Sequence, residues 1–144
     1  MSEAPLLRVR GLKVHFAMSK ALSWAAPKYV RAVDGVGFEL RRGTSFGIVG
    51  ESGSGKTTTA LAVMRLAPAT EGAIEFDGED LLALEGEKLR RARRRFQMIF
   101  QDPYSSLNPR LRAGAIVRQP LDLLNVGPAS ERDAQVDELF QSVG

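Results

Sequence analysis

The sequence contains no cysteine, which excludes disulfides and thiol-ligated zinc sites and agrees with a reducing compartment. Long apolar runs are missing too. None approaches the roughly 18 to 20 residues that a membrane-crossing helix needs, and the opening MSEAPLLRVR has neither the basic start nor the apolar core of a secretory signal. A cytoplasmic location is the expectation. Histidine and tryptophan occur once each, as His15 and Trp24. His15 falls in a strand-like stretch and is read as a structural or surface residue, Trp24 as an anchor or contact of a loop. Charge is not heavily one-sided, the net value being +3. What is there is ordinary for one globular domain: 144 residues, 44% hydrophobic and 26% charged, a balance that excludes disordered and collagen-like chains. The basic residues are unevenly placed, with Arg90, Arg91, Arg93, Arg94 and Arg95 in a single run. Such a run can meet phosphates or acidic lipid. Without an aromatic platform or a groove-entering motif beside it, a solvated helix face is the favoured reading, and no nucleic-acid partner is expected.

Periodicity organises the chain. From Leu6 to Phe16, LLRVRGLKVHF alternates apolar and polar residues in two short runs, the period of a half-buried strand or hairpin, and reads as β. Residues 17–28 lose that period and read as a surface insertion, after which YVRAVDGVGFEL, Tyr29 to Leu40, is strand-like again. The turn RRG leads into TSFGIVG, expected as a short apolar strand, and Thr57 to about Leu66 reads as a helix ended by Pro68. GAIEFDGEDL reads as a hairpin turning at Asp77-Gly78, GEKLRRARRR as a helix and FQMIF as a strand. Two prolines make QDPYSSLNPR a loop. Helical patterns follow from Leu111 onward, the last opening with Ser130 as its expected cap.

One motif carries chemistry. Gly50, Gly55, Lys56 and Thr57 within GESGSGKTTT satisfy G-x-x-x-x-G-K-[ST] between an expected strand and an expected helix. Glycines let the backbone turn tightly and face successive amides towards a phosphate, and the helix N-terminus adds partial positive charge at the same place. Lys56 supplies a full charge to the β and γ phosphates. The Thr57 hydroxyl is a hard oxygen donor suited to Mg2+. The motif names a nucleotide site without naming a reaction, because kinases, GTPases and transport ATPases share it.

Taken together, LKVHF, YVRAVDGVGFEL, GIVGESGSGKTTTA, the arginine-rich lead-in before Phe96 and FQMIFQDPYSSLNPR resemble the ATP-binding subunits of ABC transporters, those of dipeptide and oligopeptide importers above all. The resemblance runs from about Leu6 to Val143. It implies an α/β P-loop NTPase fold with a mixed N-terminal β-sheet, the start of a parallel core sheet and the start of a helical subdomain, divided as residues 1–110 and 111–144. It implies ATP and Mg2+ as cofactors, held by Gly50, Glu51, Ser52, Gly53, Ser54, Gly55, Lys56, Thr57 and Thr58. Gln101 matches the glutamine that reaches the magnesium and the attacking water, so Thr57 and Gln101 are the implied metal-facing residues. Phe16 is the implied adenine-stacking aromatic, with Tyr29 second. The loop Asp102 to Arg110 is implied as the contact with transmembrane permease subunits. A second ATP-binding subunit and a peripheral place on the cytoplasmic face of the membrane complete the picture.

Certain parts of that family's pattern do not occur between Gln101 and Gly144: the LSGGQ signature, an apolar strand ending in aspartate and the catalytic glutamate, and the switch histidine. The run MIFQD is broken by Gln101, and AIEFD alternates. The expectation is therefore an incomplete ATPase, lacking the C-terminal part of the domain, that binds nucleotide without turnover. An open apolar edge beside TSFGIVG and poor solubility of the isolated chain follow from it. Two other readings stay open: a nucleotide-binding module that never hydrolyses, and a soluble P-loop ATPase or kinase unconnected with transport.

Overall fold

The structure is a computed structural model that describes residues 4–18, 29–102 and 107–144. Trp24, most of the expected insertion and the centre of the loop 102–110 lie outside the described residues. Two compact units divide the chain, Met1–Leu89 and Arg90–Gly144. Among the described residues, no helix is long and apolar enough to cross a membrane.

The first unit is built on a four-stranded antiparallel sheet in the order β2-β1-β3-β4, with β1 Leu7–Ala17, β2 Tyr29–Leu40, β3 Glu71–Phe76 and β4 Glu79–Asp80. The two apolar runs of β1 are out of phase by one residue, and a bulge reconciles them. Gly11 at φ 54 sits where the register shifts between Val9 and Leu12, so that Val9, Leu12 and Val14 all reach the buried face. A one-residue shift would otherwise turn half the strand inside out. Gly72 of β3 lies against the bulge so closely that a Cβ there would stand 2.7 Å from the Arg10 and Gly11 carbonyl oxygens.

With Val33, Ile74, Phe76 and Leu81, these side chains form the core of the unit, each worth about 1.5–3 kcal/mol of burial for the larger residues. Cross-strand ion pairs at more exposed positions, Arg8–Glu39 and Lys13–Glu71 at 2.7 Å each, coincide with the strand register. The hairpin between β3 and β4 turns at Asp77 and Gly78, both at positive φ, as the Asp-Gly pair predicts.

Helix α1 spans Lys56–Val63, shorter than the expected Thr57–Leu66. It ends before Pro68 because Arg65 takes a left-handed φ of 58 and the Leu66 N–H closes back onto the Leu61 carbonyl at 2.8 Å, a turn that satisfies orphan helix carbonyls. Helix α2, Gly86–Ala92, begins in the first unit and ends in the second.

In the second unit, α3 (Ala113–Leu123) and α4 (Arg132–Val143) are joined through a turn with Asn125 and Gly127 at positive φ. The buried Arg132 guanidinium ties this turn together, donating to Asp122 Oδ1 at 2.7 Å and to the carbonyls of Val126 and Gly127. Its bond holds the Asp122 carboxyl below the usual carboxylate range. Ser130 is not the cap of α4: it lies in a 3-10 turn, Ala129–Glu131, and the N-cap position falls to Glu131, which makes no side-chain cap bond.

The α/β class is as expected, but two expected strands are absent. TSFGIVG and FQMIF are not strands, and the sheet of the described residues is antiparallel throughout. A strand exists only with a neighbour to receive its backbone hydrogen bonds, and parallel strands take theirs from segments distant in sequence. Among the described residues neither segment joins the sheet β2-β1-β3-β4. Their apolar side chains stand out accordingly, Val49 at 92% and Ile99 at 96% exposure.

Candidate nucleotide site

The candidate site begins where the apolar segment 44–49 meets Gly50. In that segment Thr44 bonds back to the Arg41 carbonyl, its hydroxyl donating at 2.9 Å, and Phe46 stacks on Phe38 of β2 with ring centroids 4.9 Å apart. Beyond it the loop turns through Gly50 at φ 158, Gly53 at φ 80 and Gly55 at φ 91, closed by the Ser54 N–H donating to the Glu51 carbonyl at 3.2 Å. Gly53 and Gly55 lie in the region that side-chain-bearing residues avoid. A Cβ on Gly50 would meet Ser54 Oγ at 2.7 Å, and one on Gly55 would meet the Ala32 carbonyl oxygen at 2.3 Å. Glycine is thus required twice over at Gly55, by conformation and by its close approach to β2.

Lys56 folds back over this loop. Its Nζ donates to the carbonyls of Gly50 at 2.9 Å and Glu51 at 2.6 Å and lies 3.4 Å from Ser54 Oγ. The ammonium is therefore held at the mouth of the loop by backbone dipoles. Glu51, Ser52, Gly53 and Ser54 are exposed, as is Thr57, and Thr58 is half-buried. The residues fit a phosphate chain: a backbone turn free of obstructing Cβ atoms, one positioned cation, a helix N-terminus and a hydroxyl suited to a hard cation.

The described structure keeps Gly50 to Thr58 together in the first unit and places Phe16 and Tyr29 in the same unit, at the end of the β1–β2 pair where β1 finishes and β2 begins. Phe16 pairs with Val30, and Tyr29 with Ala17. Both aromatics are exposed, at 43% and 57%. Val30 is two residues from Ala32, the residue touching Gly55, which amounts to about 7 Å along a strand. His15, in the same strand, donates its backbone N–H to Thr70 Oγ1 at 2.9 Å, and its ring stands 3.9 Å from the Asp34 carboxylate. Gln101 belongs to the second unit and is exposed. Sequence reasoning missed the seat of the loop on Ala32, for which no local signal exists, and the buried Thr59 behind it.

The comparisons with known proteins bear on this geometry. The family model described as ABC transporter matches residues 33–144. The chain belongs to the ABC transporter family. Among relatives of this family member, the oligopeptide transport ATP-binding protein AppF of Bacillus subtilis is 42% identical over 144 residues, covering 99% of this chain and 44% of that protein. The oligopeptide transport ATP-binding protein OppF of Salmonella typhimurium is 47% identical over 118 residues, 81% of this chain and 35% of that protein. The chain thus spans under half the length of the curated relatives it matches. A solved dimeric structure of MJ0796, a bacterial ABC transporter cassette, superposes with a TM-score of 0.74 at 24% identity, covering 94% of this chain and 56% of that one. It establishes the ABC ATPase fold.

Proposed function

We propose that the chain is the nucleotide-binding portion of an ABC transporter ATPase that powers peptide import. The observation carrying this reading is the loop Gly50–Thr58, whose glycine geometry and folded-back Lys56 suit a triphosphate, in a chain 42% identical to an oligopeptide transport ATP-binding protein. Backbone amides of the loop, those of Gly53, Gly55, Lys56 and Thr57, and the Lys56 ammonium bind and orient the β and γ phosphates, and the Thr57 hydroxyl would hold Mg2+, which screens the phosphate charge when bound. Phe16 stacks on the adenine, Tyr29 being the alternative. Gln101 is the residue that senses the metal and the water. A solved MJ0796 dimer bound to ADP and Pi supports a nucleotide role and a second ATP-binding subunit.

The loop Asp102 to Arg110 meets the transmembrane permease subunits, which places the protein peripherally on the cytoplasmic face of the membrane. Residues 1–110 are the N-terminal part of the ATPase core with its nucleotide-binding loop, and 111–144 begin the helical subdomain. These 144 residues by themselves bind nucleotide without sustained hydrolysis, since the groups that position water and complete the charge clamp are not among them.

The test is a graft. Residues 1–144, placed over the matching segment of a peptide-importer ATP-binding subunit, should support oligopeptide uptake, and Lys56→Ala in the graft should abolish it. A graft that folds and binds MgATP yet moves no peptide would remove the transport half of the reading.

A further inference from the structure

We propose that Thr59 is a positioning residue of the phosphate loop: its buried hydroxyl fixes the Gly55–Lys56 peptide and so aims the Lys56 amide into the loop. The inference rests on the phosphate-binding reading above. Thr59 lies in the first turns of α1 at 4% exposure. Its Oγ1 donates to the Gly55 carbonyl at 2.9 Å, and its own backbone N–H donates to the same oxygen at 2.8 Å. Both lone pairs of that oxygen are therefore engaged. The Gly55 carbonyl and the Lys56 N–H belong to one planar trans peptide and point in opposite directions, so whatever fixes the first fixes the second.

The restraint falls where the chain most needs one. Gly55 has wide conformational freedom and no side chain to cap the helix. Its other side is closed by the Ala32 carbonyl, which would stand 2.3 Å from a Cβ. The peptide is thereby held between β2 and the Thr59 hydroxyl, with one orientation left to it. Elsewhere in a helix, a threonine bonded back to the carbonyl four residues earlier is neutral or slightly destabilising. Here the carbonyl belongs to the N-cap residue, next to the lysine, so the gain is orientation of a binding group rather than stability.

That distinction sets the experiment. In the whole chain, MgATP affinity and thermal midpoint are measured for wild type, Thr59→Val, Thr59→Ser and Lys56→Ala. Valine matches threonine in shape and lacks the hydroxyl. Its affinity should fall about fivefold to tenfold, with the midpoint of the nucleotide-free protein within about 2 °C, and serine should bind within about twofold of wild type. Where the valine variant does not fold, Thr59→Ala carries the test, because it also lacks the hydroxyl: its affinity should likewise fall about fivefold to tenfold, and wild-type affinity there overturns the inference. Wild-type affinity in Thr59→Val, or a loss in Thr59→Ser as large as in Thr59→Val, overturns the inference while leaving the site intact. A wild type that binds no better than Lys56→Ala overturns the phosphate-binding reading and the positioning role with it.

Discussion

Two apolar stretches of the first unit, β1 and residues 44–49, were both expected to be strands, and they end in opposite states. Val9, Leu12 and Val14 of β1 are at most 2% exposed, whereas Phe46, Ile48 and Val49 are 50%, 41% and 92% exposed. Composition does not separate them. The difference is that β1 has strand partners on both sides, β2 and β3, while 44–49 joins no strand and is held by the Thr44 bonds to Arg41 and the Phe46 stack on Phe38. Strand propensity records how well a side chain fits a paired, half-buried surface, and it acts only where a neighbour completes the ladder. The phosphate loop thus hangs between a firm support, β2 beneath Gly55, and an unpaired lead-in.

Core truncation should show the contrast at full size. Ile74→Ala removes a side chain that is 0% exposed and should cost about 3–4 kcal/mol in urea unfolding, whereas Val49→Ala should stay within about 0.5 kcal/mol. Equal losses from the two would mean that 44–49 is packed after all. Next in size is Gly72→Ala. Its φ of 106 and three backbone atoms at 2.7 Å from a Cβ predict about 2–3 kcal/mol of destabilisation, with Gly78→Ala in the exposed turn, where nothing lies within 4 Å of a Cβ, losing less. A neutral Gly72→Ala would show that the bulge is not clamped as described.

The smallest effect concerns the sheet's ion pair. The Lys13 hydrogen bond and charge hold the Glu71 carboxyl below the usual carboxylate range, and Glu71 raises the Lys13 ammonium in return. Glu71's contribution is present above its unfolded pKa and is lost as pH falls through the depressed folded value. Lys13's is complete below its unfolded pKa and is lost as pH rises through the raised one. Stability should therefore sag slightly below about pH 4 and above about pH 10. Lys13→Met should flatten both ends of the profile relative to wild type, and an unchanged profile would remove the pair from the account.

Elements made by neighbours in sequence were legible in the residues. The β3–β4 hairpin followed from Asp77-Gly78 and the tight turn of residues 50–55 from its glycines, because turn chemistry is local. β2 was bounded correctly by its alternation. Elements that depend on distant partners were not legible, so TSFGIVG and FQMIF read as strands from composition alone. The α4 cap was misread at Ser130 because a buried guanidinium, Arg132, organises that turn through tertiary bonds to Asp122, Val126 and Gly127. Within the site, the motif named the residues proposed to face a phosphate, while the Ala32 contact and the Thr59 hydroxyl behind Gly55 became visible only with the chain folded.

The central claim is that Gly50–Thr58 reads the phosphates of a nucleotide. Calorimetric binding of ATP and AMP in Mg2+, to wild type and to Lys56→Ala, tests it most directly. Wild type should bind ATP at least about a hundredfold more tightly than AMP, and Lys56→Ala should cut that ratio to under about tenfold. Equal affinity for ATP and AMP in the wild type, or a ratio untouched by the loss of Lys56, would contradict it.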